Sequence, residues 1–467
     1  MSESILIIRK DRLELCILGA GAVLCGLFSL KGLHIPYWIF IPIVLAGTFV
    51  LFLWSKEKPQ ILLYALAAYL PFAKQLHFRF GPVSDIVNLT NLLILMVLYL
   101  WKQNKFELPG KLKPFSFFEI CFMVFLGLIL LSILGGFLLG PNYLASALLQ
   151  CYTSWGIPFI LFLMFKNISG TREMIKNLIL IIIAVTTLVA GMASLEYLLT
   201  GERVGGVFDH ANLLSSFFSY YMFLPIAFFI LEFQNKSYWL FMVSFLILSR
   251  GIMVAFSRGG YAAFAASTYV LAFFRNKWFF VLLLALSVIV VTNPVLLPPG
   301  VRYRLGKTFE KNKMKNGNTY YTEEKLDRSS ADRLEIWKGA IQMIKDNPLT
   351  GVGYTRFMKK IEHYWYAGIS FEPHNTFLWL GAELGVPAAL LFIVMIIALG
   401  FKSFLAYTLG ADILDRGLGL GFLACIAGFI VSNLYAPRLD YPEVGGYFWM
   451  LAGLLYRLSH LNKSETT

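Results

Sequence analysis

Charge is scarce in this sequence. Only 14% of the 467 residues are Asp, Glu, Lys or Arg, whereas a soluble domain carries about 25%. The shortfall excludes an ordinary cytosolic enzyme, a disordered chain and a coiled coil. Cysteine is sparse as well. Cys16, Cys25, Cys121, Cys151 and Cys425 all lie in apolar runs, and none forms a CxxC pair. They read as small buried hydrophobes rather than a disulfide framework or metal ligands. There is no GxxxxGK[ST] loop for nucleotide hydrolysis, and no HExxH or clustered His/Cys set for a metal. Asp-x-Asp, the metal-holding pattern expected of a transferase that uses nucleotide sugars, is missing too. Acidic residues are nearly absent from the centres of apolar runs: Glu119 and Glu196 sit near run ends, and Glu383 about two turns inside. Proton-coupled transporters place carboxylates mid-membrane, so this weakens a pump.

Apolar residues are what the chain has in abundance. They make up 58% of it, and mean hydropathy is +0.68. A helix needs roughly 20 apolar residues to cross a bilayer. Candidate spans lie near 13–30, 35–54, 61–73, 86–101, 116–139, 145–165, 175–199, 212–232, 238–256, 261–274, 278–293, 376–401, 414–434 and 444–459. The expected fold is an all-α polytopic membrane protein, a bundle of about 12–14 transmembrane helices. The lower figure applies if the pair split by Ser257-Arg258-Gly259-Gly260 is one re-entrant or broken element. The N-terminus, MSESILIIRKDRLE, has no small-residue cleavage site and reads as a cytosolic lead-in to a retained first span.

The net charge of +13 would suggest nucleic acid in a soluble protein. Here it reads as topology. With the N-terminus inside, 19 Lys/Arg fall in inside segments and 6 in short outside ones, the positive-inside pattern. Both termini are then cytoplasmic, and no nucleic-acid partner is expected. Residues 294–375 contain no span and fall outside, with 14 basic and 9 acidic residues. Long loops translocate regardless of charge, and one this long is usually functional. Three parts follow: an N-terminal transmembrane bundle (1–293), the outside loop (294–375) and C-terminal transmembrane helices (376–467). Within the loop, 302–328 is polar and expected to be mobile. Residues 330–346 place Leu334, Trp337, Ile341 and Ile344 on one helical face. Ser329 or Ser330 is the expected N-cap, and the helix is expected to lie at the interface over the outer mouth.

Under this topology the polar clusters share one face. They are Gly201 to Asn212, Phe256 to Gly260, the loop helix with Arg333 and Trp337, Asn347 to Phe357, Pro373 to Leu378, and Pro437-Arg438. A guanidinium is a fixed fork of donors that suits phosphate oxygens and stays charged. Arg203 and Arg258 each precede paired glycines that admit a close ligand. The plainer alternative is snorkelling to head groups, which two Arg-Gly turns on one face make less economical. His374 opens the span after the loop, where a neutral imidazole can take a proton from a hydroxyl. A hydrogen-bonded interfacial histidine is the competing reading there, and the structural reading is preferred for His363 and His210. Arg250, inside LILSRGIMVAF, has no assigned side.

These clusters resemble the O-antigen ligase and polymerase superfamily of bacterial integral-membrane glycosyltransferases. The matching pieces are R-x-G-G-x-F-x-H-x-N from Arg203, S-R-G-G from Ser257 and R-x-x-x-W-x-x-A from Arg333. D-N-P-L-x-G-V-G from Asp346 and P-H-N-x-F-L-x-x-x-x-E-L-G from Pro373 complete the series. The resemblance implies a type C glycosyltransferase-like bundle in the inner membrane, with short helices in one long periplasmic loop. It implies a glycan donor on undecaprenyl diphosphate and an acceptor hydroxyl at the periplasmic face, with membrane lipids around both. The acceptor is the lipid A core for a ligase, the growing glycan for an O-antigen or exopolysaccharide polymerase, and a protein for a related oligosaccharyltransferase. No cofactor and no metal are expected. Arg203 and Arg258 would bind the diphosphate, and His374 and Arg333 would be catalytic. Asn375, His210, Asn212, Trp337 and Arg438 would support them. A lipid-linked oligosaccharide transporter is the competing class. It predicts inverted repeats between halves, and none is visible. A structural scaffold leaves the outside Arg/His set unexplained.

Overall fold

The computed structural model describes residues 37–75, 88–103, 105–106, 115–168, 170–297, 299–306, 309–316, 319–326, 328–364, 372–438 and 441–465. Helix occupies every expected span position from 35–54 onward, and 13–30 lies outside the described residues. The first half comprises α1 (Tyr37–Ser55), α2 (Gln60–Tyr69), α3 (Leu89–Lys102), α4 (Phe117–Gly135), α5 (Pro141–Cys151) and α6 (Ile157–Ile168). It continues with α7 (Arg172–Thr200), α8 (Ala211–Tyr221), α9 (Phe223–Leu231), α10 (Trp239–Val254), α11 (Arg258–Arg275) and α12 (Lys277–Thr292). Seven helical stretches among the described residues are long and apolar enough to cross a membrane. Shorter apolar helices accompany them at Val44–Ser55, Gln60–Phe72, Leu89–Lys102 and Lys277–Thr292. The chain is a multi-pass, all-α membrane protein, as its composition requires.

Starts and stops follow local chemistry. Ser116 and Glu119 form a capping box at the start of α4. Thr171 caps α7, Ser257 caps α11 and Asn276 caps α12. After α12 come α13 (Pro299–Gly306), a hairpin of β1 (Phe309–Asn316) and β2 (Thr319–Leu326), and α14 (Arg328–Asp346). The strands pair antiparallel from Phe309 opposite Leu326 to Asn316 opposite Thr319. The polar stretch expected to be mobile thus carries ordered backbone pairing.

Two further expectations change. Helix α14 begins at Arg328, so Ser329 and Ser330 lie in its first turn rather than capping it. Its buried stripe is Ile336, Ala340 and Met343, with Ile344 packed beside them, while Leu334 and Ile341 are exposed. The expected face is rotated because small Ala340 allows closer approach than the larger apolar side chains. The expected span 376–401 is broken into α15 (Thr376–Leu384) and α16 (Val386–Leu409). Gly385 sits between them at φ +85, and Pro387 opens α16. The last helices are α17 (Ile413–Tyr435) and α18 (Pro442–Glu465).

Helix α17 is central, packing on α8, α9, α11, α16 and α18. Small residues allow this. A Cβ at Gly428 would lie 2.7 Å from both the Ser219 carbonyl oxygen and Ser267 Oγ, the close backbone approach that membrane helices use. By contrast α12 buries none of its residues. It touches the bundle through Phe280, whose ring lies 5.4 Å from Phe273 of α11.

One end of the bundle is fixed by ion pairs. Glu119, at the start of α4, pairs with Lys166 at the end of α6, both buried. Arg172, at the start of α7, lies 2.6 Å from Asp412 and 2.8 Å from Asp415 at the start of α17. The polar clusters collect where α7 and α17 finish, at the other end.

Candidate functional site

Helix α7 stops at Gly201, which takes φ +67, and the chain turns through Arg203. Arg203 Nε donates to the Ala255 carbonyl at 2.9 Å and its Nη2 to Asn212 Oδ1 at 2.6 Å. The Arg203 turn is thereby fastened to the α10–α11 turn and to α8. His210 Nδ1 accepts from the Asn212 amide at 3.3 Å, capping α8. Lys74 donates to the Phe208 carbonyl at 3.0 Å, and Gln75 to the Val207 carbonyl at 3.0 Å and Asp209 at 3.2 Å. Segments far apart in sequence, all assigned outside by charge counting, therefore meet.

Ser257 accepts from the Gly260 amide and caps α11, which places Arg258 in the first turn. The partial positive charge of a helix start adds to its guanidinium. Arg438 is 9% exposed. Its Nε donates to Ser216 Oγ at 3.1 Å, and its amide to Asn433 Oδ1 at 3.2 Å. The same Asn433 oxygen accepts from Thr376 Oγ1 at 2.7 Å, joining α17 to the start of α15.

Helix α14 brings Arg333. Trp337, one turn on, donates its indole N–H to the Pro373 carbonyl at 2.8 Å, so the loop helix holds the turn that carries His374. Asn375 caps α15, accepting from the amides of Phe377 and Leu378 at 3.0 and 3.1 Å. The carboxylate of Glu383 accepts from the amides of Thr355 and Phe357, each at 2.9 Å. Val352 donates to Ala382, Gly353 to Glu383 and Val386 to Pro348. The D-N-P-L-x-G-V-G and E-L-G pieces are therefore one clamp, seating the loop on the break at Gly385.

A cavity of about 210 Å³ opens among these parts. Arg203, Asn212, Arg258, Arg333 and Arg438 line it, together with Ser216, Phe256, Ser257, Gly259, Gly260, Ser432 and Tyr435. Four arginines and, among the described residues, no carboxylate make its wall. It is smaller than the roughly 300–1,000 Å³ of a pocket for a drug-sized ligand. It suits a compact anion with the remainder of the ligand outside.

His374 stands beside this charge. Burial, then the positive charges of Arg333 and Arg438, and finally His210, press its imidazole down to about 4. It is neutral at pH 7. His210 is also lowered, first by burial and then by Arg438, Arg203 and Lys74. Burial lowers Arg438 from its ordinary value, with Tyr220 and Tyr441 opposing. Glu372, two residues before His374, is raised by burial, with Arg438 pulling the other way. Among the described residues, the non-glycine residues with positive φ are Asp209, Phe256, Thr355 and His374, at 55°, 44°, 60° and 49°. All lie in the loops around this end. Such backbone costs about 1–3 kcal/mol per residue and persists where a surrounding structure dictates it, often at functional sites.

The structure gathers Arg203, Asn212, Arg258, Arg333, Arg438, His374, His210, Trp337 and Asn375 at one end, and leaves Arg250 outside the cavity. Arg203, Asn212, Arg258, Arg333 and Arg438 share the cavity wall. His374 and His210 both lie close enough to feel Arg438, His374 with Arg333 as well and His210 with Arg203. Trp337 and Asn375 hold the turn around His374. Sequence reasoning missed Ser216, Ser432 and Tyr435 on the wall, and Lys74 and Gln75 as tethers. Ser216 lies four residues after Asn212, on the same helical face, which was a usable signal.

Residues 243–393 match the family model Wzy_C, described as O-antigen ligase. The matched stretch contains Arg258, Arg333, Trp337, His374, Asn375 and Glu383, while Arg203, His210, Asn212 and Arg438 lie outside it. The superfamily resemblance carried by the motifs is borne out. No curated protein matches the chain.

Proposed function

We propose, on the premise of that likeness to O-antigen ligase, that the protein is a membrane glycosyltransferase. It moves a glycan from undecaprenyl diphosphate to an acceptor hydroxyl at the periplasmic face, as a ligase acting on the lipid A core. The observation that carries this reading is the cavity with four arginines beside a neutral histidine. A diphosphate leaving group gains negative charge as its bond to the sugar breaks. Preformed cations that do not have to reorganise stabilise that charge most. Arg203 and Arg258 hold the diphosphate, Arg258 with the start of α11 behind it. Arg333 and Arg438 complete the positive wall.

His374 takes the proton from the acceptor hydroxyl as its oxygen attacks the anomeric carbon. The carbon–oxygen bond to the diphosphate breaks, and the diphosphate departs with the bonding electrons. Because burial and then the arginines keep His374 unprotonated, the base is ready before the acceptor arrives. The prenyl tail lies against the helices, and α14 covers the mouth and admits the acceptor. The three-part division follows this chemistry: 1–293 supplies Arg203 and Arg258, 294–375 supplies Arg333 and His374, and 376–467 supplies Arg438.

The test is glycan transfer in membranes containing the full chain. Arg258→Ala and His374→Ala should each lower it by about 10²-fold or more. Wild-type transfer in both would sink the assignment. The acceptor is read from a deletion strain. Unattached lipid-linked polymer indicates a ligase, and chains of a single repeat indicate a polymerase.

A further inference from the structure

Arg250 has no part in the cavity, yet it is a charge on an apolar helix face. It lies in the span Lys236–Val254, one turn before α10 ends, and its side chain is exposed. Its neighbours along that face are Leu240, Val243, Leu246 and Met253, all exposed. Residues at this spacing share one side of a helix. The stripe is the side α10 turns to lipid, so Arg250 is a charge presented to the membrane. One turn from the span end, such a charge can reach the head groups.

The residues around it connect it to the cavity. The Arg250 guanidinium carbon lies 5.2 Å from the centre of the Tyr197 ring, within cation–π reach. Tyr197 sits near the end of α7, and its ring centre is 5.7 Å from that of Phe256. Phe256 lines the cavity. One side of the Tyr197–Phe256 pair therefore faces the four arginines, and the other faces Arg250 and lipid. Phe256 is also a residue with positive φ. The first helix of the long loop seats it: a Cβ at Gly300 would fall 2.2 Å from Phe256 Cε1. Snorkelling accounts for an arginine near a span end, but not for its placement on an aromatic pair that walls the cavity.

We propose that Arg250, Tyr197 and Phe256 form a membrane-facing portal to the cavity. Arg250 is the first cationic contact for the diphosphate of the lipid donor as it arrives from the bilayer. This rests on the proposed glycosyltransferase reading. The diphosphate head travels at the membrane surface with its tail in lipid, so a lateral opening at head-group depth is the route that keeps both in place. Arg250 draws the anion to the portal, the aromatic pair parts, and Arg258 with Arg203 receives it. Phe256 returns against Gly300 and separates the loaded cavity from lipid.

The experiment uses the full chain in phosphatidylcholine nanodiscs and follows association of a long-chain polyprenyl diphosphate. Arg250→Ala should slow association about tenfold, the scale of electrostatic steering, with dissociation unchanged. Arg250→Lys should restore most of the rate, because a point charge suffices for attraction. Lys236→Ala, at the other end of the same span, should behave as wild type. Inorganic diphosphate reaches the cavity from water, so its association should not respond to Arg250→Ala. Equal slowing of both probes would place the effect in the cavity and overturn the portal, as would unchanged association of the polyprenyl probe. If phosphatidylglycerol in the nanodisc slows the polyprenyl probe as much as Arg250→Ala does, Arg250 holds bulk anionic lipid, and the proposal fails. Should the wild-type chain bind no polyprenyl diphosphate, the glycosyltransferase reading fails with it.

Discussion

At the scale of single residues, the charge on His374 decides the pH behaviour. An unperturbed histidine titrates near 6.5, and burial with Arg333 and Arg438 brings His374 to about 4. Between those values the unfolded chain binds a proton that the folded chain refuses. Stability from this residue is therefore complete above about 6.5 and declines as pH falls toward 4. The acid limb of kcat/KM, which reports the free enzyme, should lie near 4 rather than 6.5. The limb of kcat should lie higher, because a bound diphosphate offsets the arginines and raises His374. Arg333→Gln removes the larger charge contribution and should move the free-enzyme limb upward. A limb at 6.5 in the wild type would show that His374 is solvated and not held beside the arginines. Arg258→Lys is the complementary substitution. It preserves the charge but not the fork, and should recover only part of the transfer lost in Arg258→Ala.

At the scale of elements, the site is positioned by a few hydrogen bonds, and each can be tested apart from chemistry. Asn375 stands next to His374, and the structure gives it a cap to make on α15. Asn375→Ala should cost about 1 kcal/mol, while Asn375→Ser keeps a capping oxygen and should restore thermal stability and transfer together. If serine restored stability without transfer, the amide would have a role beyond the cap. Glu383 is the stronger case. Glu383→Ala leaves the Thr355 and Phe357 amides without their acceptor, each worth about 1–3 kcal/mol when buried, and a lower thermal inactivation temperature checks it. The elements also show what was legible in the sequence. The residues of the clamp were read as motifs, but their use was hidden, because the hydrogen bonds join Glu383 to amides well before it in the chain. The face of α14 was misjudged because apolar size was weighed over fit, and Ala340 with Met343 won the contact. Gly385 within an apolar run was visible. Its consequence, a broken helix, came from the segment at Pro348–Gly353 that packs there.

At the scale of the whole molecule, charge counting gave the relative sides of the segments, and the cavity agrees. Lys74, Arg203, Arg258, Arg333 and Arg438, all assigned outside, gather at one end. Lys166 and Arg172, assigned inside, pair with carboxylates at the other. Such agreement is expected because both follow from where each helix starts and stops. Sequence could not show the cavity itself, since its arginines come from the turns and ends of four separate segments. Which end faces outward is a separate question with its own test. Cys121, Cys151 and Cys425 are buried, so once Cys16 and Cys25 are changed to serine the background of reactive thiol is low. Lys313→Cys in β1 should then label with a membrane-impermeant maleimide in intact cells, and Lys236→Cys only after the membrane is opened. The reverse order would put the arginine cavity on the cytoplasmic side, away from a lipid A acceptor. The ion-paired end and the arginine end are separated by the full length of α7 and α17, so labels at the two ends are reached from opposite sides of an intact bilayer.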